Sequence, residues 1–206
     1  IPADCEVIRK NGAPRFYILR AKDVKEYNFE LKKLPNGKEE KFALFALGDV
    51  QVASSTALKR FTNEAVPAMK EHVKSIEIPC YGITLGDIVS SSDGKNAVPY
   101  MSDLHEAMNY KLIGMPVFQV MGNHDNTHYN AENPLTPDSS NSTFEIKAQR
   151  AFETTFGPIN YSFNRGDVHI VGMRNIKHLD NVSASNFVNG FTAEQFEWLK
   201  QDLALV

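Results

Sequence analysis

A chain of 206 residues, 42% hydrophobic and 23% charged with a formal net charge of -3, has the composition of an ordinary globular α/β domain with room for a sizeable core. The slight negative balance carries no nucleic-acid-binding signature, and no apolar run approaches the roughly 20 residues that span a bilayer, so no transmembrane segment is expected. Two cysteines, Cys5 and Cys80, are too few and too far apart for a disulfide framework or a zinc site, and read as buried or free thiols.

Residues 1–40 carry turn signals at Asn11-Gly12-Ala13-Pro14 and Pro35-Asn36-Gly37-Lys38, with a candidate strand over Arg15–Arg20. They read as a linker or the tail of an upstream domain. Phe42–Leu47 is a continuous apolar run closed by Gly48-Asp49, the pattern of a buried parallel strand. Over 55–75, Leu58, Phe61, Ala65, Met69 and Val73 recur at helical spacing, and Pro67 is expected to kink or interrupt that helix.

Tyr81–Leu85 is a second apolar run, closed by Gly86-Asp87, and Ser90–Lys95 is a polar turn. Tyr100–Leu112 has helical spacing with Leu104, Met108 and Leu112 on one face. Val117–Met121 reads as a third short strand, broken by Gly122 and followed by Asn123, His124 and Asp125. Strand, helix, strand, helix, strand in this order predicts a parallel sheet with crossover helices.

Residues 126–143 read as a long polar loop of the kind that is usually functional or mobile. Glu145–Phe156 is amphipathic and ends at Gly157-Pro158. Tyr161–Phe163 and Val168–Met173 flank Asn164-Arg165-Gly166-Asp167 as a β-hairpin. In the helix Thr192–Leu203, Thr192 and Gln195 spell a capping box and Phe191 and Phe196 a hydrophobic staple; Phe196, Leu199 and Leu203 are expected to face the core. The first residue is not a methionine and the last helix is still running at Leu205-Val206, so a piece of a longer protein with further domains on both sides is expected.

Three successive strands thus end in glycine followed by Asp49, Asp87 and Asn123, spaced 38 and 36 residues apart, one βαβ crossover each. Neighbouring parallel strands place these three side chains along one edge of the sheet, where an open α/β fold binds its ligands. Two carboxylates and an amide in one crevice call for a cation, because like charges that close otherwise raise one pKa strongly. Oxygen ligands with an imidazole suit divalent manganese, iron or zinc.

Gly48-Asp49-Val50-Gln51, Gly86-Asp87 and Gly122-Asn123-His124-Asp125 resemble the signature of the calcineurin-like metallophosphoesterases. Phe156-Gly157-Pro158, Tyr161-Ser162-Phe163, Gly166-Asp167-Val168-His169 and Gln195…Trp198-Leu199 are similar to that family too, so the resemblance covers about residues 42–206. It implies a layered sandwich of mostly parallel and mixed sheets flanked by helices, here cut short, with 41–206 as the N-terminal part of a catalytic domain. It implies a phosphate-ester substrate, mono- or diester, attacked by a hydroxide bridging two divalent metal ions. By position, Asp49 and Gln51 would bind the first metal, Asp87 both and Asn123 the second. His124 would serve as acid or charge stabiliser beside the phosphoryl group, and Asp125, the motif's last acid, would support it.

Two departures stand out. Gln51 occupies a position where histidine is usual; a glutamine carbonyl can ligate metal, and a subgroup similar to this sequence carries Asp-x-Gln. The late His and Gly-His-x-His ligands are absent, and are expected beyond residue 206. These departures also motivate a second reading, a non-catalytic binding or scaffold module on the same fold. No tyrosine follows in Gly86-Asp87-Ile88-Val89, against a tyrosinate-iron site. His128 follows the motif closely enough to reach substrate. His72 and His105 fall on helices, His169 in a strand and His178 in a polar loop, where packing or hydrogen bonding accounts for them. Asn141 and Asn181 match the glycosylation sequon, a triplet common by chance.

Overall fold

The computed structural model describes residues 1–7, 9–10, 13–14, 30–90, 97–126, 144–178 and 187–206. The loop 126–143 beyond Asn126, His128, the side chain of His178, both sequons and the candidate strand over Arg15–Arg20 lie outside the described residues.

Two short antiparallel strands, β1 (Arg9–Lys10) and β2 (Ala13–Pro14), precede the main sheet. That sheet holds β3 (Ala43–Leu47), β4 (Cys80–Thr84) and β5 (Val117–Phe118), all parallel, in the order β3-β4-β5. The expected parallel strand over 42–47 forms, but as an edge of the described sheet, not as a buried strand. Its residues alternate between half-buried and exposed, with Leu44 44% exposed. The middle strand β4 is buried from Tyr81 to Thr84, and both residues of β5 are buried.

The first crossover runs through α1 (Ser55–Arg60), a π-helical turn at Phe61–Ala65 and α2 (Val66–Lys74). Ser54 caps α1, its Oγ accepting from the Ala57 N–H at 3.2 Å. The expected interruption near Pro67 takes the form of this π-helical turn. The wide turn takes up the misfit before Pro67, the Val66 N–H reaching back to the Phe61 carbonyl, and the proline falls in the first turn of α2, where a missing N–H costs nothing.

The second crossover is two helices where one was expected, α3 (Ala97–Ala107) and α4 (Tyr110–Ile113). Asn109 restarts the chain: its Oδ1 accepts from the Lys111 N–H at 2.9 Å as an N-cap. The break rotates the following residues, so Leu112 is 44% exposed, contrary to its expected core position, and Ile113 is buried in its place. β5 is shorter than the expected 117–121, because the Val120 N–H donates to the Thr84 hydroxyl at 3.0 Å instead of to a backbone partner.

One face of the sheet packs on the helices α1–α4 and on α5 (Phe144–Thr155) through Val66, Ile88, Met101, Leu104, Ile113 and Phe152. The other face meets a hairpin of β6 (Asn160–Arg165) and β7 (Val168–Met173), turned at Gly166-Asp167. Alternate residues of β6 point inward, and Phe163 stacks on Phe118 with ring centroids 3.9 Å apart. A second, smaller hairpin pairs β8 (Ile176–His178) with β9 (Phe187–Asn189).

The final helix, α6 (Ala193–Leu203), has the expected capping box of Thr192 and Gln195, and the Phe191 and Phe196 rings meet at 5.8 Å. Its apolar face does not enter the core as expected. Phe196 and Leu203 are about half exposed, because α6 is held to the outer side of the hairpin by polar groups on the adjoining face. Asp202 accepts from Ser162 Oγ at 2.6 Å and meets His169 Nε2 at 2.8 Å, while Gln195 Nε2 donates to Asn160 at 2.8 Å. His169 is therefore a packed, hydrogen-bonded residue. His72, on α2, lies edge-on to Phe45.

Residues 1–7 pack onto the same hairpin. The buried Arg165 guanidinium donates to the Cys5 carbonyl at 2.8 Å and lies over the Tyr81 ring. Both cysteines are free thiols, Cys5 buried and Cys80 half-buried. No helix among the described residues is long and apolar enough to cross a membrane.

Candidate metal centre

The carboxyl ends of β3, β4 and β5 lie side by side, since Leu47 pairs with Thr84 and Ile83 with Phe118. The loops that follow β3 and β4 stay paired beyond the strands. The Gln51 N–H donates to the Asp87 carbonyl at 2.9 Å, the Val52 N–H to the Ile88 carbonyl at 3.2 Å, and Val52 bridges Val89 in parallel.

Within this short stretch Asp49, Gln51 and Asp87 have φ of 46°, 43° and 51°. They are the only non-glycine residues in left-handed backbone among the described residues. For L-residues that region costs roughly 1–2 kcal/mol each. Such strain persists where the surrounding structure enforces it and clusters at functional sites.

Asp49 and Gln51 are exposed, and the Gln51 Nε2 donates to Asp49 Oδ1 at 3.1 Å. Asp87 is half-buried and central. Its carbonyl receives the Gln51 N–H, and its Oδ1 receives the His124 N–H at 3.0 Å. Gly122 makes room for it, because a Cβ there would lie 2.1 Å from Asp87 Oδ1.

Asn123 is half-buried on the loop after β5, its carbonyl accepting the Asn126 N–H at 3.2 Å; its side chain makes no hydrogen bond to Asp49 or Asp87. The loops thus bring Asp49, Gln51, Asp87 and His124 into a connected chain of contacts, with Asn123 next to His124. Among the described residues no three histidine, cysteine, aspartate or glutamate side chains gather as a metal-holding group. Beyond Asp49, Asp87 and His124, the donors here are the amides of Gln51 and Asn123.

Asp125 is fully buried and faces backbone. Its Oδ1 accepts from the Ile88 and Val89 N–H groups at 2.8 and 3.1 Å, and its Oδ2 from the Gly122 N–H at 2.8 Å. Burial pushes its carboxyl up to about 7, with those backbone donors pulling the other way and the Asp87 charge adding to the rise. With both oxygens on main-chain donors, Asp125 clamps the β4 loop to the β5 loop.

Two residues of this region carried no signal as site residues in the sequence. Asn126, taken as the first residue of a polar loop, is fully buried, and Arg174, just past the apolar run of β7, is 4% exposed and donates to it. A lone arginine closing an apolar strand was the available hint.

An open parallel sheet with acid- and amide-bearing loops gathered at its carboxyl edge is the architecture of a ligand-binding α/β domain. More narrowly, the family model of the calcineurin-like phosphoesterases matches residues 42–206, and the chain belongs to that family. The matched region begins at the residue before β3. Phosphate-ester hydrolysis is the chemistry of the family, which generally binds paired metal ions. No match was found among curated proteins.

Proposed function

We propose that this chain is the part of a metal-dependent phosphoesterase that carries Asp49, Gln51, Asp87 and Asn123 as metal-holding residues. The observation that carries the proposal is the left-handed backbone shared by Asp49, Gln51 and Asp87 at two adjacent strand ends. Aspartate tolerates such a conformation nearly as asparagine does, but glutamine does not, and three such residues at two adjacent strand ends are more than turn chemistry needs. Keeping side-chain oxygens there at an energetic cost is what a ligand-holding loop requires.

The donor set fits divalent cations. Two carboxylates and two amide oxygens with an imidazole beside them are hard and borderline ligands, suited to manganese, iron or zinc. Asp49 and Gln51 would hold one ion, Asn123 the other, and Asp87, between the two loops, would be shared. A bound pair of ions supplies positive charge to the phosphoryl oxygens and makes water a better nucleophile.

The protein's own residues do the rest. His124 stands next to Asn123 with its backbone pinned to Asp87, which leaves the imidazole to protonate the leaving oxygen or offset charge on the phosphoryl group. Asp125 keeps the two ligand loops in register. His128 is proposed to reach substrate from the loop beyond.

The test is turnover of p-nitrophenyl phosphate and of its bis-ester by the Mn²⁺-supplemented protein. Hydrolysis of one of them, abolished in Asp87→Asn and slowed about 10²-fold in His124→Ala, is the expected result. Absence of turnover on both esters, or full activity in Asp87→Asn, rejects the proposal.

A further inference from the structure

We infer that Arg174, on the residue after β7, is a positioning residue for the loop Gly122–Asn126; this rests on the phosphoesterase reading of that loop. Asn126 is fully buried three residues after Asn123, and its backbone N–H closes the turn onto the Asn123 carbonyl at 3.2 Å. Its side-chain Oδ1 in turn accepts from Arg174 Nη2 at 3.2 Å.

Arg174 is held through both terminal guanidinium nitrogens and through its backbone, while its buried Nε has no hydrogen-bond partner among the described residues. Its guanidinium forks onto Glu145 of α5, with Nη2 donating to Oε2 at 3.1 Å and Nη1 to Oε1. Its N–H donates to the Ile159 carbonyl at 3.2 Å, and its carbonyl accepts Gln195 Nε2 from α6 at 2.6 Å. The Arg174 side chain therefore ties α5 to the turn that carries Asn123, and its backbone is held by Ile159 and by the first turn of α6.

A buried ion pair stabilises a fold no better, in many cases, than apolar residues of the same volume. What a bidentate guanidinium–carboxylate pair adds is a single orientation of the planar fork. Here Nη2, which also donates to Glu145, is aimed at Asn126 Oδ1. Groups standing behind metal ligands in this way set their orientation, and losing them typically costs 10–100-fold in metal affinity or activity.

Three variants separate this role from general support. Asn126→Ala removes the link and leaves the Arg174–Glu145 pair in place. Arg174→Met combined with Glu145→Gln removes the fork without stranding a buried carboxylate. Asn126→Asp keeps an acceptor for Arg174. Two readouts are taken on the full chain, amide hydrogen exchange at Gly122–Asn126 without metal and Mn²⁺ affinity by electron paramagnetic resonance. The first two variants are expected to exchange faster in this loop and to bind Mn²⁺ about 10–100-fold more weakly, with Asn126→Asp restoring both.

Wild-type protein that takes up no Mn²⁺ overturns the phosphoesterase reading and this inference with it. If wild type binds Mn²⁺ and Asn126→Ala matches it in exchange and affinity, this inference alone is overturned. Failure of Asn126→Asp to restore either property also counts against it.

Discussion

The carboxylate of Asp87 occupies the space that a side chain on Gly122 would need, its Oδ1 only 2.1 Å from where the Cβ would stand and its backbone nitrogen 2.3 Å away. The second distance matters more, because main chain cannot swing aside as a flexible side chain can. Gly122→Ala must therefore separate the β4 and β5 loops. Overpacking of this kind costs about 1–3 kcal/mol. Urea denaturation should show that loss, and Mn²⁺ uptake should fall with it; a variant with wild-type midpoint and wild-type uptake would show the loops to be freely adjustable.

Gln51 offers the opposite trade. Its left-handed backbone is strained for any residue with a Cβ, and glycine relieves roughly 1–2 kcal/mol of that strain. Glycine also gains freedom in the unfolded chain, which returns about 0.4–1 kcal/mol. Gln51→Gly should leave the metal-free protein as stable as wild type or slightly more so, while phosphoesterase turnover drops at least tenfold. Thermal melts and ester hydrolysis on the same preparation check both halves. A destabilised but fully active variant would remove the strain argument.

Asp125→Asn tests the clamp. An amide keeps one acceptor for the Ile88 and Val89 N–H groups but turns an NH₂ toward the third donor, or the reverse. A buried donor facing a donor costs about 1–3 kcal/mol. Chemical denaturation should register that loss, and hydrogen exchange should rise at Gly122, Ile88 and Val89 before it rises in the helices. Uniform exchange changes across the fold would show that Asp125 is not local in its effect.

The thiols give a prediction independent of metal. Burial pushes both Cys5 and Cys80 above the usual thiol range, and the hydrogen bond to Asp4 adds to the rise at Cys5. Thiolate is the reactive form, and its fraction at a given pH falls as the pKa rises. Alkylation by iodoacetamide at pH 8 should be slower than for a free cysteine at both positions and should accelerate as the pH is raised. Guanidinium should bring both to the free rate. Fast labelling of Cys5 in native protein would mean that residues 1–7 do not stay packed on the hairpin.

Apolar runs closed by Gly48-Asp49, Gly86-Asp87 and Gly122-Asn123, spaced by one crossover each, were enough to place three parallel strands. The cap of α6 and the β6–β7 hairpin were equally local, because Thr192 and Gln195, or Gly166 and Asp167, settle their conformation among near neighbours. Which face of α6 is covered was not local. Gln195 and Asp202 have partners on the hairpin about 33–40 residues earlier in the chain, and those polar contacts leave Phe196 and Leu203 outside. Ile113 replaced Leu112 in the core for a similar reason, a side-chain cap at Asn109 shifting the helical phase.

By its own order of residues, then, this chain determined its class, the order of its three parallel strands and the polar groups that follow them, since periodicity and turn chemistry act over a few neighbouring positions. Only the tertiary structure decided that Asp49, Gln51 and Asp87 adopt left-handed backbone, that Asp125 spends both oxygens on main chain, and that Arg174 stands behind Asn126. Each of these depends on segments brought together from tens of residues apart, where the gain from packing and hydrogen bonding exceeds the local preference of any one residue.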